Sequence, residues 1–290
     1  EQEAKAVYDA CRWNLKPSDP AAFAAGKLTT PERPIVFYVD DTFPAGWYDA
    51  IRRGLLSWNA AFEKIGYRDA VQVRPYPRDD ASFDPNDIKF SCVKYANTMG
   101  ESLSSSARID PRSGEILSAT ICIPHNVTSR IRTDLFVQLG AADPDARRVK
   151  MSPELFGKAL AADVARHTGA CLGLAVNYAG SYCVPVDSLR SPSFTQRYGI
   201  SASIMDELPY NLVAQPGDKE RGVALMQQGP GVYDEYVVDW LYRPVPGAAT
   251  PEDEVAELDR RIAARRSDPM CLYTPPPVAV ALDPRSMPYN

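Results

Sequence analysis

Residues 152–181 read Ser-Pro-Glu-Leu-Phe-Gly-Lys-Ala-Leu-Ala-Ala-Asp-Val-Ala-Arg-His-Thr-Gly-Ala-Cys-Leu-Gly-Leu-Ala-Val-Asn-Tyr-Ala-Gly-Ser, and this stretch decides the fold. Ser152 is an N-cap residue and Pro153 suits the first helical position, so the sequence predicts a helix over 153–174. Phe156, Leu160 and Val164 form one apolar row, and His167 continues it, which turns the imidazole toward the interior or a cleft. His167 and Cys171 stand one turn apart on the same helix. That spacing lets two side chains converge on one point.

Working outward, Pro34-Ile35-Val36-Phe37-Tyr38-Val39 is a β-rich run closed by Asp40-Asp41 and reads as a strand. Ile51, Leu55, Trp58, Phe62 and Ile65 recur at helical spacing across 47–65, and Gly66 supplies the stop. Trp47 and Trp58 read as core residues on that helix. Further strands are expected at 71–73 and 88–95, on either side of a Pro- and Asp-rich loop. A strand–helix–strand unit of this kind favours a parallel pair with a right-handed crossover. Segments 104–109 and 115–123 flank Asp110-Pro111-Arg112-Ser113-Gly114 and predict a hairpin at a sheet edge. Helices are expected over 126–140, 233–242 and 251–266, the last opening on the capping pattern Thr250-Pro251-Glu252-Asp253. Loops rich in Pro and Ser are expected from Gly180 to Asp206. The N-terminal EQEAKAVYDACRW reads as helix, and 274–285 as an extended Pro-rich tail.

The chain has 290 residues, 45% hydrophobic and 24% charged, enough for a substantial core. A net charge of −5 with scattered basic residues gives no basic face for nucleic acid. Arg130 and Arg132 ahead of Asp134, and Arg260, Arg261, Arg265 and Arg266 behind Glu252, Asp253, Glu254 and Glu257, read as a solvated surface. No apolar run is long enough to span a bilayer. The six cysteines (11, 92, 122, 171, 183 and 271) include no C-x-x-C pair, which argues against a zinc ribbon and leaves disulfides and buried thiols both open. The chain is expected to be a piece of a longer one.

Eight segments belong together: Pro34–Tyr38, Trp58–Gly66, Asp110–Ile116, His125-Asn126-Val127, Pro185–Ser191, Ser203–Asp206, Ala214–Asp218 and Tyr233–Tyr236. In this order they resemble the catalytic domain of the large zinc-dependent metalloproteases of Bacteroidota, a metzincin-like family related to matrixins. The resemblance implies an α/β zincin-like (metzincin) fold: a twisted mixed sheet with an antiparallel edge strand, an active-site helix and a helical C-terminal subdomain. It places an N-terminal subdomain at 1–180, with the active-site helix at 153–174, and a C-terminal subdomain at 181–290. Met205 would be the Met of the Met-turn, 203–206. The strand Ser104, Ser105, Ser106, Ala107, Arg108 and Ile109 would be the edge over the cleft, where an extended peptide can add a strand.

The family's motif is H-E-x-x-H-x-x-G-x-x-H, with three imidazoles on zinc and the Glu as general base. Aligned on Gly173, the three His positions fall on Arg166, Ala170 and Val176, and the base falls on His167. Glu207 stands where the family has Tyr after the Met-turn. His167 and Cys171 remain as alternative ligands, with Cys183 or Asp206 as a third. Only two histidines exist in the chain, however, and zinc needs about three protein ligands. The reading is therefore a pseudoprotease domain with no catalytic residue and no metal or cofactor expected. It keeps a cleft for a peptide, a protein partner or another ligand such as a glycan, with no nucleic acid partner and no membrane span. The alternative is an active hydrolase with a rearranged metal site around His167 and Cys171. The resemblance implies a periplasmic, outer-membrane-associated or secreted location.

Overall fold

A computed structural model describes residues 10–274 of the chain. Five strands form one sheet: β1 (Ile35–Val39), β2 (Val71–Pro75), β3 (Ser91–Ala96), β4 (Ser104–Ile109) and β5 (Ile116–Pro124). Their spatial order is β2-β1-β3-β5-β4, all parallel except β4, which runs antiparallel to β5. The expected hairpin forms across Asp110–Gly114. Gly114 takes a positive φ of 71° there, and the Asp110 carboxylate accepts from the Arg112 amide at 2.9 Å. The strand expected at 88–95 lies at 91–96.

The described helices are α1 (Pro20–Ala24), α2 (Trp47–Leu56), α3 (Asn59–Glu63), α4 (Val127–Leu139), α5 (Pro153–Cys171), α6 (Ala179–Tyr182), α7 (Pro192–Tyr198), α8 (Val232–Tyr242) and α9 (Pro251–Arg265). The single helix expected over 47–65 is two. Ser57 donates its hydroxyl back to the Gly54 carbonyl at 2.7 Å, competing with the helical ladder. The next residue, Trp58, is drawn to α5, where its indole N–H meets the Ala165 carbonyl at 2.8 Å. Asn59 then clamps β2 through both amide atoms, donating to the Val71 carbonyl and accepting from its N–H. Residues 186–190 form a 3-10 turn, and with α6 and α7 they occupy a stretch expected to be loop. Ser191 caps α7 and Pro192 opens it, the same start signal that marks α5.

The core lies between the sheet and α2 and α5. Phe37, Ile51, Leu55, Trp58, Phe62, Ile121, Leu160 and Val164 are all fully buried in it. Gly54 sits where α2 crosses α5, and a Cβ there would lie 2.5 Å from the Ala161 carbonyl oxygen. Of the helix expected over residues 1–13, residues 1–9 lie outside the described ones; residues 10–13 are not helical, because Arg12 instead bridges to Glu115. The Pro-rich tail from 275 onward is likewise outside. No helix among the described residues is long and apolar enough to cross a membrane.

Candidate functional site

Helix α5 begins as the sequence predicts: the Ser152 hydroxyl accepts from the Leu155 amide at 3.1 Å. It ends at Cys171, and Gly173, at φ +90°, turns the chain away. Two faces matter. His167 points to the sheet edge, where its Nδ1 and the Ser105 hydroxyl of β4 are 3.0 Å apart. Arg166 and Ala170 share the neighbouring face; Arg166 is half-buried and Ala170 exposed. Val176 lies past the helix in the following loop, half-buried.

The Arg166 guanidinium donates to Glu207 at 2.8 Å. Glu207 belongs to the loop just after Met205, so the pair ties the helix to that turn. Met205 is 2% exposed and packs beneath the helix at Gly169, where a Cβ would stand 2.4 Å from the methionine sulfur. The turn itself hangs on Asp234 at the start of α8. Its carboxyl, fully buried, accepts from the Ser203 hydroxyl at 2.6 Å and from the Ile204 and Gly231 amides at 2.7 Å each. Burial pushes that carboxyl up to about 7 against the pull of the three donors.

Arg130, read from sequence as solvated surface, is partly buried instead. It bridges Asp134 on its own helix at 3.0 Å and Asp163 on α5. Its neighbour one turn along was visible in the sequence; Asp163, which reaches it from another element, was not. Tyr210, 4% exposed, has its hydroxyl close enough to Asp163, Asp134 and Arg130 to feel their charges. No spacing in the sequence marked it. These groups surround a cavity of about 200 Å³ between α4, α5 and the loop after Met205.

The titration of these groups follows from their surroundings. Burial first, then the charges of Arg166 and Arg130, lower His167 to about 4, so its imidazole is neutral at pH 7. Burial pushes the Cys171 thiol up to about 12. Asp206 is buried and held by the Ser181 amide and the Ser201 hydroxyl, and Cys183 donates to the Gly180 carbonyl at 3.1 Å. Neither joins His167 and Cys171: among the described residues no three His, Cys, Asp or Glu side chains come together to hold a metal ion.

A sheet with one antiparallel edge strand, a long helix beside that edge and a methionine turn beneath the helix define the zincin-like (metzincin) fold class. Residues 148–290, just under half the chain, match a family model described as Met-zincin. No curated protein and no solved structure matches the chain. The family description implies zinc, and the residues present do not fit it. Arg166 offers a cation with no lone pair, Ala170 a methyl group, His167 one ring nitrogen already engaged, and Cys171 a thiol sealed in the core.

Proposed function

We propose that this is a catalytically inactive, metallopeptidase-like domain whose cleft binds an extended segment of a peptide or protein. The observation that carries the reading is the pairing along α5. Arg166, aligned with the first zinc ligand, and His167, aligned with the base, are tied up in contacts within the chain, Arg166 with Glu207 and His167 with Ser105, while the strand beside them stays a sheet edge. Among the described residues β4 pairs only with β5, so its outer N–H and C=O groups are open to an added strand. Ser104, Ser106 and Arg108 on that strand are exposed. By the same family resemblance the domain works outside the cytoplasm, within a longer secreted or surface chain.

The competing enzyme reading rests on the one-turn spacing of His167 and Cys171. A thiol held near 12 is no thiolate at pH 7, and metal binding there would have to deprotonate it in the core. Two measurements on the purified domain test the proposal together. Elemental mass spectrometry after zinc dialysis should find far less than one equivalent, and a peptide array should show binding without cleavage. One equivalent of zinc lost on Cys171→Ala, with chelator-sensitive cleavage, would establish the enzyme instead. An array with no binding at all would leave a structural role only.

A further inference from the structure

Along the sequence the basic residues are scattered, but folding gathers four of them at one end of α4. That helix buries Val127, Ile131, Leu135 and Leu139, so Arg132, Thr133, Phe136 and Val137 fall on the opposite face and are exposed. Gly140 continues the exposed face, and the Arg147 stem folds over it: a Cβ on Gly140 would stand 3.4 Å from the Arg147 Cγ. Val149 follows two residues later, within about 7 Å of Arg147 along the chain. Phe136, Val137 and Val149 are 57%, 72% and 86% exposed, high values for large apolar side chains. Around them stand Arg132, Arg147, Arg148 and Lys150, all exposed. Arg148 bridges Asp145 at 3.0 Å, whereas Arg132, Arg147 and Lys150 pair with no carboxylate among the described residues. The acidic groups of α4 and of the 3-10 turn Pro144–Arg147 are already engaged: Asp134 holds Arg130, and Asp143 and Asp145 share Lys219. In a chain of net charge −5, this face is cationic and apolar at once.

We propose that this face docks on an anionic lipid bilayer. Phe136, Val137 and Val149 would enter the boundary between headgroups and acyl chains, and the cations around them would meet lipid phosphates from the water side. The mixture of side chains favours a bilayer over a protein partner. A folded partner would have to strip water from the cations, lysine among them, whereas headgroups meet them still hydrated. The buried face of α4 stays in the core throughout, so docking needs no change of fold and no membrane-spanning segment. The inference is independent of the peptide-binding role. Arg130, Asp134 and Gln138, which line the cavity beside the cleft, form a different stripe of α4, and the two roles share no side chain.

The test is co-sedimentation of the purified protein with vesicles of equal parts phosphatidylcholine and phosphatidylglycerol, and with vesicles of phosphatidylcholine alone. The proposal expects binding about a hundredfold tighter to the mixed vesicles, from three uncommitted cations at about fivefold each, and a steep loss with added salt. Arg132→Gln and Lys150→Gln should each weaken binding about fivefold. Phe136→Ser combined with Val137→Ser should weaken it about tenfold and leave the salt dependence as it was. All four side chains are exposed, so these variants should keep the fold. Arg266→Gln, which removes an exposed cation just past α9, should change nothing. Equal binding to both vesicles, binding to neither, or a matching loss with Arg266→Gln overturns the proposal. Poly-glutamate bound as tightly as the mixed vesicles, with no effect of Phe136→Ser, overturns it in favour of an acidic protein partner. A dimer that Phe136→Ser dissolves overturns it in favour of a second copy.

Discussion

His167 shows how one side chain can be moved from chemistry to stability by its neighbours. Its folded-state value, near 4, lies below the ordinary 6.5 because burial and two nearby arginines disfavour the imidazolium. The unfolded chain therefore takes the proton first as pH falls. Its contribution is complete above about pH 6.5 and disappears on the way down to about pH 4, a loss of at most about 2–3 kcal/mol given its partial exposure. Urea unfolding across that window should show the decline, and His167→Gln should flatten it. Gly169 makes a second case. Its missing Cβ lets the helix rest on Met205 and Trp58, so Gly169→Ala should cost about 1–3 kcal/mol in the same assay. Gly100→Ala, whose added carbon meets nothing closer than 3.5 Å, is the control.

At the level of elements, the link between α5 and the methionine turn is ionic. Arg166 and Glu207 are both partly exposed, so their coupling in a double-mutant cycle should be modest, about 0.5–1 kcal/mol, and should fall with added salt. The turn's anchor in α8 matters more. Asp234→Asn keeps the shape but cannot accept from all three donors, and should cost about 1–3 kcal/mol with lost exchange protection at the Ile204 amide. Much of this architecture was legible in the sequence. Ser152-Pro153 fixed where α5 starts, the turn residues Asp110–Gly114 marked the edge hairpin, and the β-rich run at 34–39 marked the strand. The break at Ser57-Trp58 was hidden because the apolar spacing runs straight through it, and only the pull of the Ala165 carbonyl on the Trp58 indole reveals it. Arg166 and Glu207 were each visible as departures from the family pattern, yet their pairing spans 41 residues and belongs to tertiary structure. Tyr210 carried no local signal at all.

Across the whole molecule, the two ends of the described chain meet at one corner. Trp13 donates its indole N–H to the Cys171 carbonyl at 2.9 Å, and the Cys11 carbonyl lies against Gly173. From the other end, Thr274 accepts from the Tyr178 amide at 3.1 Å, while Asn177 donates to the Leu272 carbonyl at 2.9 Å and accepts from the Thr274 amide. Both ends thus grip residues 171–178. The mechanical consequence is that tension from the C-terminal side would load residues 177–178 first, one hydrogen bond after another, while tension from the N-terminal side would also load the Arg12 backbone bonds to Gly114 and Ile116 at the start of β5. In a single-molecule pulling experiment the corner should peel at low force before the sheet yields, and Asn177→Ala should lower that first event while leaving the second where it was. The domain would then act in a stretched chain as a fastener whose weakest stitch lies beside its own cleft.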